Sequence, residues 1–218
     1  MILVRIERPS FIIESDKEIS YIDEVISTLE EHTYDILNFF KLEKLSQKKR
    51  VIIYTNREKY KEHLLPYVKE FKDWMQADTY DGNINLLEIS ESRKSEAHKD
   101  LTLEEFTKCI LHEFVHASQQ EINSNSKGVA WYWEALATNL SGQNYSIVDL
   151  SKCDFNKLQD DFNNTDYAYS YAYTIGRFML DNYSQEQLLE YVKYPKKLKE
   201  DASKIFLAAR QSQSKNTK

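Results

Sequence analysis

Two histidines and a glutamate, in the run His112-Glu113-Phe114-Val115-His116, are the residues of this chain whose types and spacing point most directly to chemistry. On a helix, a four-residue spacing stacks both imidazoles on one face about one turn apart, so two nitrogens can grip one cation. Zinc takes N, S or O donors at about 2.0–2.3 Å in a tetrahedral array, with one position left open where the site catalyses. His112 and His116 supply half of that array. Glu113 occupies the next position round from His112, where its carboxylate reaches a water held by the cation and can act as general base. The competing reading is an amphipathic helix whose two histidines sit at a half-buried boundary.

A third ligand is offered by Trp131-Tyr132-Trp133-Glu134-Ala135-Leu136-Ala137. The polar turn Asn123-Ser124-Asn125-Ser126-Lys127-Gly128 separates it from the first motif and lets a second helix return antiparallel beside the first. Glu134 then faces the two histidines. Burying an unpaired carboxylate among tryptophans, alanines and leucine is costly, and a cation removes that cost. The alternative places Glu134 on the wet face of its helix or against a buried arginine. Thr138, one turn on, can support the ligand through a hydrogen bond.

The elements that must carry these residues follow from the pattern around them. Thr102 and Glu105 form a capping-box pair, which starts a helix at about 103 and runs it to about 121; a second helix is expected over about 130–142, with more after 152. Upstream, residues 2–14 read as one or two strands broken near Pro9, and Lys17 to about Lys41 as a long amphipathic helix. Val51–Thr55 reads as a buried strand, 57–75 as a helix kinked at Pro66, and Ile84–Ile89 as a further strand after the turn Asp81-Gly82-Asn83. Ser90–Asp100 is polar and aperiodic, a solvated loop. The class is therefore α+β: one domain over 1–210, mixed over about 1–100 and helical over about 101–210, with a frayed tail at 211–218.

Composition narrows the function. The net charge of −6 offers no global positive field to phosphate backbones, so no nucleic-acid partner is expected. Four scattered glycines build neither a P-loop nor a dinucleotide-binding turn. No run approaches the ~20 apolar residues that cross a bilayer, and the charged N-terminus is no signal peptide, so no membrane partner and a cytoplasmic location are expected. Cys109 and Cys153 read as reduced thiols, Cys109 as helix packing and not a ligand. His32, His63 and His98 lie in charged neighbourhoods and read as surface histidines.

A His-Glu-x-x-His helix followed by Trp-x-x-Glu-x-x-Ala resembles the gluzincin metallopeptidases, specifically the minimal peptidase MA-like catalytic domain related to the M1 aminopeptidases. The resemblance implies a zincin-like fold with a small twisted N-terminal sheet, zinc held by His112, His116 and Glu134, and Glu113 as the base. It extends to Tyr169-Ser170-Tyr171-Ala172-Tyr173-Thr174-Ile175-Gly176-Arg177-Phe178-Met179-Leu180 and on to Tyr183-Ser184. Registering Ser184 on the glycine that closes the family's helix puts Tyr169 at its catalytic tyrosine, which donates to the oxyanion of the tetrahedral intermediate; Tyr171 is the runner-up. The spacing between the zinc segments is about one residue shorter than in the M1 enzymes, and Ala135 replaces their glycine. The Gly-x-Met-Glu-Asn element that anchors a free amine is missing, so aminopeptidase specificity is not implied. The strand at Ile84–Ile89 would then be an edge on which an extended substrate pairs.

These residues predict a zinc-dependent peptidase acting on a peptide or protein substrate, its oligomeric state left open. The rival expectations are a zincin-like binding or regulatory module with little proteolysis, and a hydrolase of non-peptide amides or esters.

Overall fold

A computed structural model describes residues 2–125 and 128–216, without the side chain of Asn216. The fold is α+β, with every strand among the described residues lying before residue 88. Two compact units divide the chain, Met1–Ser118 and Gln119–Lys218.

The first unit is built on a five-stranded sheet of β1 (Val4–Glu7), β2 (Phe11–Ser15), β3 (Lys49–Tyr54), β4 (Ala77–Asp78) and β5 (Ile84–Leu87), in the order β1-β2-β3-β5-β4. The residues around Pro9 turn β1 antiparallel onto β2, while β2, β3 and β5 run parallel. Parallel neighbours require crossovers. Helix α1 (Ile22–Phe39) makes the first, burying Val25, Ile26, Leu29, Ile36 and Leu37 on one stripe, and α2 (Arg57–Leu64) lies in the second. Register aligns Ile13 with Val51 and Val51 with Ile84, and all three side chains are fully buried, which is why this row of β-branched residues forms the centre of the sheet.

Several expectations change here. Asn56 caps α2 by accepting from the Lys59 amide at 3.0 Å, but the helix stops at Leu64 instead of continuing kinked to 75. Pro66 has no N–H and disfavours helical backbone in the residue before it, so it terminates the helix. The chain that follows contributes the two-residue strand β4, which pairs antiparallel with Leu86 and Asn85 of β5. That pairing makes β5 an interior strand, so it offers no free edge to a substrate. Ser90–Asp100 is not simply a solvated loop: α3 (Ile89–Ser92) and a 3-10 turn at Glu96–His98 occupy it, with Ser92 and Ser95 buried. Glu88 caps α3, its Oε2 accepting from the Ser90 amide at 2.8 Å.

Helix α4 (Leu103–Ile122) begins on the expected box: the Glu105 amide donates to Thr102 Oγ1 at 3.1 Å, and the Thr102 amide donates to Glu105 Oε2 at 2.8 Å. Phe106, Ile110, Leu111, Phe114 and Val115 form its buried face. Its last residues, from Gln119, belong to the second unit.

The second unit contains α5 (Ala130–Leu140), α6 (Phe155–Asp160), α7 (Ala168–Asn182), α8 (Gln185–Lys193) and α9 (Pro195–Asn216), with no strand among its described residues. Helix α7 packs against α5, and both α7 and α8 pack against α9. Residues 211–216, expected to fray, continue α9. Gln213 explains why: its Nε2 donates to the Val148 carbonyl at 2.7 Å and its Oε1 accepts from the Leu150 amide at 3.0 Å. Thr217 and Lys218 of that tail, and Ser126 and Lys127 of the expected polar turn, lie outside the described residues. Cys109 and Cys153 form no disulfide, and no helix among the described residues is long and apolar enough to cross a membrane.

Candidate metal centre

His112 and His116 occupy the middle of α4, which the Thr102–Glu105 box starts and the apolar stripe orients. Their rings lie 4.7 Å apart, centre to centre, at 83°. The one-turn spacing on the helix accounts for this close, edge-on pair. His112 is buried and His116 half-buried. Glu134 lies in the second turn of α5 and is half-buried.

One ligand atom from each of His112, His116 and Glu134 lies within 4.8 Å of the other two, the only such group of three or more His, Cys, Asp or Glu among the described residues. Ligands at zinc distance and tetrahedral angle sit about 3.4 Å apart, within the 4.8 Å that bounds these atoms. Two imidazole nitrogens and one carboxylate oxygen are also a donor set that zinc accepts with a coordination position to spare. The residues therefore fit the ion.

Within the second unit, α5 is held by contacts that the motif does not contain. The fully buried Gln119, three residues beyond His116, donates from Nε2 to the Trp133 carbonyl at 3.1 Å, one residue before Glu134. On its other side α5 is set by α7. Asn139 Nδ2 donates to the Ala135 carbonyl at 2.8 Å and to the Tyr173 carbonyl at 3.1 Å. At Gly176 a Cβ would meet Asn139 Nδ2 at 2.6 Å and the Ala135 carbonyl oxygen at 2.7 Å, so only glycine allows this approach. Gly176 had a readable signal, a lone glycine inside a helical pattern, which marks close packing. Gln119 had none. Thr138 does not support the Glu134 carboxylate; its Oγ1 donates to the backbone carbonyl of Glu134 at 2.6 Å, the usual bond of a helix-interior threonine.

Glu113 is only 8 % exposed. In the same unit Tyr60, from α2, is fully buried, and its phenol is raised well above its ordinary value by that burial, with the charges of Asp78 and Glu113 adding to the effect. Gln76, just before β4, donates from Nε2 to Cys109 Sγ at 3.3 Å, which ties that chain to the α4 turn preceding His112. His63 is not a surface histidine. Its side chain is 11 % exposed, stacks on Tyr54 with ring centres 5.4 Å apart, and places Nε2 3.2 Å from Asp78 Oδ1. His98 Nε2 lies 2.8 Å from the Trp74 carbonyl oxygen, while His32 is exposed as expected.

Tyr169 stands in the first turn of α7, half-buried, with its ring stacked on Tyr145 at 6.0 Å and edge-on to Phe162 at 5.2 Å. Tyr171 is buried in the same turn, and burial raises its phenol, with Cys153 and Asp149 adding. His112, His116 and Glu134 thus form a cluster that could hold a metal ion, whereas the two tyrosines are placed by aromatic packing and the α7 core.

Compared with known proteins, the chain matches no family model and no curated sequence reaches significance.

Proposed function

We propose that this protein is a zinc-dependent metallopeptidase of the gluzincin type, zincin-like in its finer fold, with His112, His116 and Glu134 as ligands and Glu113 as general base. The observation that carries this reading is the convergence of those three donors within 4.8 Å, with Glu113 buried beside the first of them. Zinc bound there would supply Lewis acidity, lowering the pKa of a water far below its bulk value, toward about 7, and polarising a carbonyl. Glu113 accepts a proton on its carboxylate from the attacking water and returns it to the departing amine nitrogen. Because Glu113 is nearly sealed from bulk solvent, the proton it accepts is kept for that transfer. Tyr169 donates its hydroxyl to the oxyanion that develops on the substrate carbonyl.

Metal content and hydrolysis test the proposal together. Untagged protein purified without added zinc should carry about one equivalent of it. Glu113→Gln should keep that metal and lose about three or more powers of ten in turnover on a peptide panel, since it removes the base alone. Absence of zinc binding, or full activity in Glu113→Gln, refutes the reading. Metal binding without any peptide, amide or ester hydrolysis would favour a zincin-like binding module instead.

A further inference from the structure

We infer that the outer edge of β1 is a self-association surface, taken by β1 of a second copy of this chain in antiparallel pairing centred on Ile6. This inference is independent of the metal centre. Among the described residues β1 has a single sheet neighbour, β2, in the register Val4↔Ser15, Arg5↔Glu14, Ile6↔Ile13, Glu7↔Ile12. The Arg8 amide donates to the Phe11 carbonyl at 2.9 Å, which fixes the phase of that ladder. Hydrogen-bonded pairs alternate along antiparallel strands, so Val4, Ile6 and Arg8 direct their backbone groups to β2, and Arg5 and Glu7 direct theirs outward. The Arg5 and Glu7 side chains are 52 % and 55 % exposed, and Ile2 and Leu3 beside them are 51 % and 60 % exposed. An exposed edge of this kind is a template for another strand.

Charge then selects both the partner and the register. Three antiparallel registers bring outward-facing residues of two copies opposite one another. Pairing Arg5 with Arg5, or Glu7 with Glu7, sets like charges face to face, which destabilises a cross-strand pair. Pairing Arg5 with Glu7 of the second copy sets opposite charges face to face, twice by symmetry. In that register Arg5 and Glu7 exchange both of their outward backbone bonds, and Ile6 faces its own copy across the two-fold axis. Leu3 falls opposite Pro9, whose missing N–H ends the ladder. The contact is isologous, so it closes at a dimer and joins the two five-stranded sheets edge to edge. Within one copy Arg5 is bonded to the buried Glu14 and lies 3.9 Å from Glu7, Lys48 Nζ donates to Glu7 at 2.7 Å, and Arg8 Nη1 donates to the Glu7 carbonyl at 3.1 Å, so the pairing takes the remaining outward backbone groups directly and replaces the Arg8 bond at the Glu7 carbonyl.

Sedimentation velocity on the full chain over a concentration series should show a reversible monomer–dimer equilibrium. Glu7→Pro removes an outward N–H without touching the β1–β2 ladder and should weaken the dimer at least about tenfold. Glu7→Arg keeps the backbone but faces Arg5 with a second cation, and should weaken it comparably. Ile6→Cys should form an interchain disulfide under mild oxidation that the parent, with Cys109 and Cys153, does not form. Should Glu7→Pro fail to fold, Glu7→Arg and Ile6→Cys decide the matter. A monomer at every concentration, a dimer indifferent to Glu7→Arg, an Ile6→Cys protein that does not cross-link, or an edge that binds extended peptides but not its own copy would each overturn the inference.

Discussion

Replacing Gly176 by alanine tests how α7 sets the position of Glu134. A Cβ at 176 falls 2.7 Å from the Ala135 carbonyl oxygen and 2.6 Å from Asn139 Nδ2, both well inside van der Waals contact. The amide can swing away, but doing so breaks its bonds to the Ala135 and Tyr173 carbonyls, worth about 0.5–1.5 kcal/mol each. The carbonyl is helix backbone and can retreat only if α5 and α7 separate, an overpacking cost of about 1–3 kcal/mol. Against this, alanine gains about 1 kcal/mol of helix propensity over glycine. The balance is a destabilisation of about 2 kcal/mol or more, a fall in Tm of roughly 4–8 °C for a chain of this size. Urea denaturation monitored by circular dichroism, with the m-value checked for constancy, measures it. Because α5 carries Glu134, the same separation should lower zinc affinity in a chelator competition although no ligand has changed. If Gly176→Ala matched or exceeded the parent in stability, propensity would outweigh the clash and the close approach would be wrong. A loss of stability with unchanged zinc affinity would detach this packing from the metal centre.

Other consequences can be measured directly. Burial alone would lower His63, but its bond to Asp78 and the charges of Asp78 and Asp81 overcome that and hold its pKa above the ordinary value. A raised folded-state pKa means this contribution is fully present below the unfolded value of about 6.5 and is lost as pH rises through the folded one. Denaturation of the parent and His63→Gln across that window should therefore show a gap that narrows with rising pH; a gap that widens would contradict the assignment. Tyr169→Phe should lower kcat on peptide substrates with KM nearly unchanged, and an unchanged rate would remove this phenol from the reaction and direct the same test to Tyr171.

Where the sequence pattern was local, it was legible. The stripe from Val25 to Leu37 and the Thr102–Glu105 box each contain their own physics, because apolar period and capping act within a few turns. His112 and His116 belong to the same category, since one helical turn separates them whatever surrounds the helix. Features created by distant partners leave no such local pattern. Ser90–Asp100 lacks periodicity and so looks like loop, yet it buries Ser92 and Ser95. The last turns of α9 are too polar to look helical, and Gln213 holds them through residues 63 and 65 positions away. His63 reads as charged surface until Asp78 on β4 and Tyr54 on β3 enclose it. Strand β4 itself is two residues long, below any period-two signal, and it alone turns β5 from an edge into an interior strand.

Glu134 stands between these cases. Its sequence neighbours, Trp131, Trp133, Ala135, Leu136 and Ala137, already state the conflict of an acid within a buried helix, but they do not say which cation answers it. Part of the answer lies in how α5 is held within its own unit, by Gln119 through the Trp133 carbonyl and by Gly176 against the Ala135 carbonyl. A single polar residue and a single glycine therefore carry information about the position of Glu134 that the motif itself does not contain. Substitutions at either should move metal affinity through the position of α5, while the three donors stay chemically intact.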